Sequence, residues 1–197
     1  MARLSSVERR NQIINATLEI VSEKGFGNLT TAEIASRVGL TEGAIFKHFS
    51  TKSEILQEVL LHIKRTLLPM ASSLAGEDLP PEAKLEKILR AKFNFFSNYP
   101  GVPKIIFSEQ VHLSDESLRE ILLATVKGYS RVIHDIILEG IEKGSFRKDI
   151  DPALATEAFQ GLIQVNVFKW SLSGHAWDLA DRVKKIIDFY VKTLRTE

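Results

Sequence analysis

TTAEIASRVGLTEGAIFKHF, residues 30–49, decides how the rest of this chain is read. Ala35 is small where two helices would cross, and Gly39 falls four residues later, where a tight turn needs positive φ. Ile45 follows six residues on, placed to plug the crossing from the second helix. Ile34, Val38, Leu40 and Phe49 supply the remaining inward positions. Small residues and glycine turns also build ordinary helical hairpins, so the decision rests on how short and how well capped these helices are.

Working outward, the caps are dense. Ser5 with Glu8 has capping-box spacing and opens a first helix, which carries Ile13, Ile14, Ala16, Thr17, Leu18, Ile20 and Val21 to a stop at Gly25. Thr30 with Glu33 opens a second helix that Gly39 ends. A third is expected from Thr41 to about Phe49, and a fourth opens at Thr51 with Glu54. Short capped helices packed this closely form a compact unit and not a fragment of a bundle.

Beyond Leu56 the helices lengthen. The fourth is expected to end at Pro69, followed by helices over 82–97 and 104–113, a long one from Ser114 to about Lys143, one over 152–172 with Asp151 as cap and Pro152 in its first turn, and a last over 177–195. No apolar alternation bounded by turn signals reads as a strand. The prediction is an all-α chain of about nine helices: a three-helix helix-turn-helix domain over 1–55 joined to a larger helical domain over 56–197 for ligand binding and dimerisation.

Composition narrows the functional classes. The 197 residues are 44% hydrophobic, enough to fill a core, and contain no cysteine, which removes disulfides and thiolate metal sites. No apolar run is long enough for a signal peptide or a membrane span, so a cytoplasmic protein with no membrane partner is expected. The formal net charge is +1, so binding to nucleic acid has to rest on a few placed cations and helix ends. Catalytic signatures are missing: Glu109 with His112 gives one half of a di-iron Glu-x-x-His pair with no second half, and neither a His-Glu-x-x-His zinc motif nor a phosphate-binding P-loop is present. No enzyme activity, cofactor or metal is expected. A helical interaction module that never touches DNA is the rival class.

Over Arg9 to Leu60 the sequence resembles the N-terminal domain of the TetR family of transcriptional regulators. The likeness is carried by Lys24, Gly25 and Phe26 at the end of the first helix, the threonine-capped second helix with Ile34 and Ala35, then Gly43, Phe46, His48, Phe49, Lys52 and Leu56. Gly140 to Phe146 followed by Asp151 and Pro152 is similar to the loop before the family's penultimate helix. The family commonly has tyrosine where this chain has Phe46, so a hydroxyl-to-phosphate bond is lost there, and Phe46 is expected at the DNA interface through packing alone.

A recognition helix presents its N-terminal residues to base edges, here Thr41, Glu42, Gly43 and Ala44. Phosphates are expected to meet Lys47, His48, Lys52, Thr30 or Thr31 and the exposed N–H groups that start the second and fourth helices. Glu42 either reads a cytosine amino group or caps its own helix, and Arg9 and Arg10 are further candidates for the backbone or minor groove. One such domain offers few contacts, so a homodimer on double-stranded operator DNA with dyad symmetry is expected.

The last helix carries an apolar stripe, and the helix before it is apolar on more than one side. Leu162, Val165, Val183, Ile187, Tyr190, Val191 and Leu194 are the expected dimer interface, and the resemblance implies that these two helices form a four-helix bundle across the dimer. A pocket for a small-molecule effector is expected from Phe93, Phe96, Phe107, Tyr129, Ile133 and Trp170 as walls with His112, Gln160 and Gln164 as polar points. Such walls suit a largely apolar effector, and the resemblance implies a repressor released from its operator when that effector binds.

Overall fold

Ser5 starts the first helix as its spacing predicts. Its hydroxyl accepts from the Glu8 N–H at 3.2 Å, and the Glu8 carboxylate accepts from the Ser5 N–H at 2.7 Å, closing a reciprocal capping box. A computed structural model describes residues 5–109, 111 and 115–195. Among them are nine α-helices: α1 (Ser6–Lys24), α2 (Thr31–Arg37), α3 (Glu42–Ile45), α4 (Lys52–Ala75), α5 (Pro81–Asn98), α6 (Gly101–Ile106), α7 (Glu116–Glu142), α8 (Pro152–Leu172) and α9 (Ala180–Leu194), with a short 3₁₀ turn at Phe26–Asn28. The described residues contain no strand. The expected cap Ser114 and pocket residue His112 lie outside the described residues.

Packing divides the chain into two compact units. The first holds residues 1–64 and 99–123, the second 65–98 and 124–197, and α4 and α7 each contribute a segment to both. This partition by packing differs from the division by role at residue 55.

In the first unit the apolar face of α1, from Ile13 through Val21, is buried together with Ile34, Ala35, Ile45, Phe49, Ile55 and Val59. Helix α6 meets α1 at Gly101, where a Cβ would lie 2.1 Å from the Leu18 carbonyl oxygen. Only a residue without a side chain lets the two backbones approach so closely. The Lys104 ammonium then ties α6 to α1 by donating to the Ser22 carbonyl at 2.6 Å.

In the second unit α5 and α9 pack against each other, and Leu85, Ile88, Leu89, Ile186, Ile187, Tyr190 and Leu194 on these helices are all buried. The Tyr190 hydroxyl donates to the Ala155 carbonyl at 2.7 Å, fixing α9 on α8. A mostly buried ion pair joins the Lys84 ammonium to the Glu139 carboxylate at 2.8 Å, and Lys143 reaches the same carboxylate at 2.6 Å; hydrogen bonds from Lys143 and Lys84 lower its pKa from the ordinary value. Asp151 caps α8 through the Ala153 and Leu154 N–H groups at 2.8 and 3.2 Å, with Pro152 in the first turn.

Several boundaries differ from those the sequence suggests. Helix α4 runs through Pro69 to Ala75; Pro69 and Arg65, one turn before it, are both exposed, and on a solvent-facing turn the loss of one helical bond is tolerated. Helix α6 begins at Gly101 and not at Lys104, since Pro103 falls in its first turn, where no N–H is required. Helix α3 is shorter than its expected span to Phe49: after Ile45 the chain tightens, with the His48 N–H reaching the Ile45 carbonyl at 2.8 Å.

Gly101→Ala is expected to lower stability by about 1–3 kcal/mol, because a methyl group cannot fit without parting α6 from α1. Thermal unfolding checks this, and an unchanged midpoint would contradict the packing.

Candidate nucleic-acid interface

Between α2 and α3 the chain turns at Gly39, whose φ is +67°. The Gly39 N–H donates to the Ser36 carbonyl at 3.3 Å and the Leu40 N–H to the Ala35 carbonyl at 2.9 Å, the paired bonds of a Schellman stop. Thr41 then caps α3, accepting from the Ala44 N–H at 3.3 Å. Ile45 is fully buried while Thr41, Glu42 and Gly43 are exposed. A buried anchor one turn below an exposed tip is what a helix that enters a groove requires.

The remaining expected contacts differ in how available they are. Lys47 is exposed with no ion pair to a described residue, and Thr30 is exposed while its hydroxyl caps α2 through the Glu33 N–H at 3.1 Å. Lys52 is half-buried at the start of α4, its ammonium 5.8 Å from the centre of the Phe26 ring, and desolvation lowers its pKa below the ordinary lysine value. Ala44 and His48 are half-buried. Phe46 is 47% exposed. Its ring lies on the surface beside Lys47.

Glu42 neither caps α3 nor stands free. Its carboxylate accepts a hydrogen bond from the Thr31 hydroxyl, which joins the start of α2 to the start of α3. Arg10 is also engaged inside the protein: its guanidinium donates to the His48 carbonyl, lies 4.0 Å from the centre of the Phe49 ring and 3.6 Å from the Glu54 carboxylate. Arg9 bonds Gln12 on its own helix at 2.6 Å. The Arg37 guanidinium grips Glu23 through two bonds, 2.9 and 2.5 Å, clamping α2 to α1. Arg10 and Arg37 are positioning residues that sequence reading missed, because their partners are distant in the chain.

In the second unit, Phe93, Phe96, Tyr129, Ile133 and Trp170 are buried. Gln160 and Ser130 bond each other through their side chains at 3.0 Å, whereas Gln164 points to solvent. Phe107 belongs to the first unit and is half-buried. Two surface clefts, of about 570 and about 610 Å³, are lined by none of these residues; the first lies along Glu82, Glu86, Ile187 and Lys192, the second along Leu162, Val165, Asn166 and Trp177. Among the expected interface residues, Val183, Ile187, Tyr190, Val191 and Leu194 are buried within their own chain, Leu162 is half-buried and Val165 is 44% exposed. The apolar side chains left at the surface of this unit are instead Leu154, Val165, Phe168 and Leu172 on α8 and Phe189 on α9. No group of three or more metal-ligating side chains occurs among the described residues, and no described helix is long and apolar enough to cross a membrane.

Residues 13–59 match the family described as bacterial regulatory proteins, tetR family, and residues 66–193 match the C-terminal region of YsiA-like proteins. The chain belongs to the TetR family. It is a DNA-binding transcriptional regulator, and its relatives are regulators and not enzymes. The fatty acid metabolism regulator protein of Bacillus subtilis is 23% identical over 186 residues, covering 94% of this chain and 95% of the relative. Among solved structures, the fatty acid degradation regulator FadR from Bacillus halodurans superposes with a TM-score of 0.84 at 23% identity over 100% of both chains. FadR from Bacillus subtilis in complex with stearoyl-CoA gives 0.81 at 23% identity, covering 94% of this chain and 99% of that one. These superpositions place the whole TetR-family fold on this chain.

Arg10→Ala is expected to cost about 1–3 kcal/mol of stability through the lost charged hydrogen bond and ring contact, while Arg9→Ala changes it by less than about 0.5 kcal/mol. Chemical denaturation distinguishes them, and equal effects would show that Arg10 does not lock the domain.

Proposed function

We propose that this regulator is a homodimeric repressor that reads a dyad-symmetric operator through Thr41, Glu42, Gly43 and Ala44 and is released by a small, largely apolar effector. The observation that carries the reading is the exposed tip of α3 held over buried Ile45 by the Gly39 turn. Lys47, His48, Lys52, Thr30 and Thr31 hold phosphates around it, with Phe46 against the sugar-phosphate surface. Thr41 and Gly43 meet base edges. Glu42, tethered by Thr31, presents its carboxylate beside them, where it accepts from a cytosine amino group. The role of DNA reading falls to residues 1–55, and effector binding and dimerisation to 56–197. The protein works by binding alone, in the cytoplasm, where the DNA is.

The dimer face follows the exposed stripe of α8 rather than the buried stripe of α9. Leu154, Ala158, Gly161, Val165, Phe168 and Leu172 share one side of that helix by their spacing of three and four residues. Ala158 and Gly161 let a partner helix approach closely, and Phe189 of α9 extends the surface. A helix apolar on both sides is explained when one side faces its own core and the other a second copy.

The relatives support an acyl-chain effector. A fatty acid metabolism regulator covers nearly the full chain, and a fold neighbour was solved with stearoyl-CoA. The buried aromatic and aliphatic side chains Phe93, Phe96, Ile133 and Trp170 supply apolar walls of the kind an acyl chain needs. Release requires that it bind better to a conformation whose recognition helices no longer fit the operator. Helix α4 is the lever, since Lys52 lies at its start and its later turns belong to the second unit.

Lys52→Ala is expected to weaken binding to every operator variant alike and to flatten the salt dependence by about one unit of slope, whereas Thr41→Ala changes the ranking among sequences. Shift assays across salt concentrations check this, and binding untouched by Lys52→Ala would refute the phosphate assignment. Val165→Glu is expected to yield monomers by sedimentation and a loss of operator affinity of about tenfold or more. A variant that remains dimeric would move the interface elsewhere.

A further inference from the structure

Helix α5 carries a lysine in an apolar row. Ile88, Lys92 and Phe96 are spaced four apart, and both hydrophobic neighbours are buried. The Lys92 ammonium lies 3.6 Å from the centre of the Tyr129 ring, which projects from α7 within the same compact unit. The residue keeps some exposure, yet no carboxylate pairs with its ammonium among the described residues. The Tyr129 hydroxyl is buried with no hydrogen-bond partner. Tyr129 itself is 3% exposed.

Each of these groups is unfavourable alone. A buried hydroxyl without a partner costs about 1–3 kcal/mol, and buried polar atoms are nearly always satisfied. A cation over a ring recovers part of its lost hydration, but the ring is a weak substitute for an anion. Other buried cations of this unit are treated differently: Lys84 has Glu139 at 2.8 Å. Two unsatisfied donors side by side, one charged and one neutral, are complementary to a ligand oxygen that carries negative charge and accepts more than one hydrogen bond.

We propose that Lys92 and Tyr129 form the polar anchor of the effector site and hold the carboxylate of an otherwise apolar acid. One carboxylate oxygen accepts from the ammonium and the other from the phenol, while the chain lies against apolar neighbours. A nucleotide phosphate, with more charge and a larger hydration shell, would lose more on entering a site this dry. Burial alone lowers the Lys92 pKa to about 7, the mark of an ammonium that lacks its anion. Desolvation likewise raises the Tyr129 phenol, which keeps it protonated as a donor. The proposal rests on the apolar-effector reading and adds the head group to it.

The test is calorimetric titration of the full-length protein with dodecanoate, 1-dodecanol and dodecanoyl-CoA, repeated with Lys92→Met and Tyr129→Phe. Both variants remove a buried unsatisfied group, and cooperative melting verifies that they fold. The wild type is expected to bind dodecanoate about tenfold or more tightly than dodecanol, as one charged hydrogen bond allows. Lys92→Met should abolish that preference and change dodecanol affinity less than about threefold, and Tyr129→Phe should reduce it by about three- to tenfold. A preference that survives Lys92→Met overturns the anchor, and so does tightest binding of dodecanoyl-CoA with no response to either substitution. Equal binding of acid and alcohol by the wild type overturns the anchor while leaving the apolar-effector reading intact. Binding of none of the three overturns both.

Discussion

A single turn sets the geometry on which the regulator depends. Gly39 adopts a left-handed backbone, and the bonds from Gly39 and Leu40 to Ser36 and Ala35 stop α2 after seven residues. A side chain at Gly39 would be strained there, and without the stop α2 and α3 would merge into one rod. The tip of α3 is aimed by this stop: Ile45 is driven into the core, and Thr41 to Gly43 stay outside. Around it, Arg37 clamps α2 to α1 and Arg10 locks the end of the α3 turn against Phe49 and α4. Neither clamp is needed to form a helix; both are needed to hold two helices at one angle.

How legible this was in the sequence varied with the range of the interaction. The capping box of Ser5 and Glu8, the Asp151 cap and the Gly39 turn are local, and their residue types allow few alternatives. The same holds for Ile34, Ala35 and Ile45, whose spacing already specifies the crossing. Helix ends were less legible. Proline costs a helix one bond and so suggests a stop, yet α4 continues through Pro69 on an exposed turn. Long-range partners left no local signal: Arg10 reaches His48 and Arg37 reaches Glu23, and both look like surface cations in a one-dimensional reading.

The proposed dimer face shows the same limit from another side. An amphipathic stripe on α9 announces burial, but periodicity does not say against what. Tyr190, Val191 and Leu194 turn out to fill their own core. What the sequence did disclose was that α8 is apolar on more than one side, and the surplus side is the exposed row containing Val165 and Leu172. For Lys92 the signal was present in the sequence, since a cation in the row of Ile88 and Phe96 conflicts with its neighbours. Its meaning required seeing Tyr129 beside it without a hydrogen-bond partner.

Coupling between ligand and DNA then reduces to how far two conformations differ in affinity for each, and an effector with equal affinity for both would release nothing. All of this presupposes that the tip of α3 reads sequence. Selection of bound fragments from a random pool of double-stranded DNA, at several salt concentrations, tests that most directly. Enrichment of inverted repeats, with half-sites about one helical turn apart and affinity falling steeply with salt, is the predicted result. Recovery of unselected sequence would contradict the account.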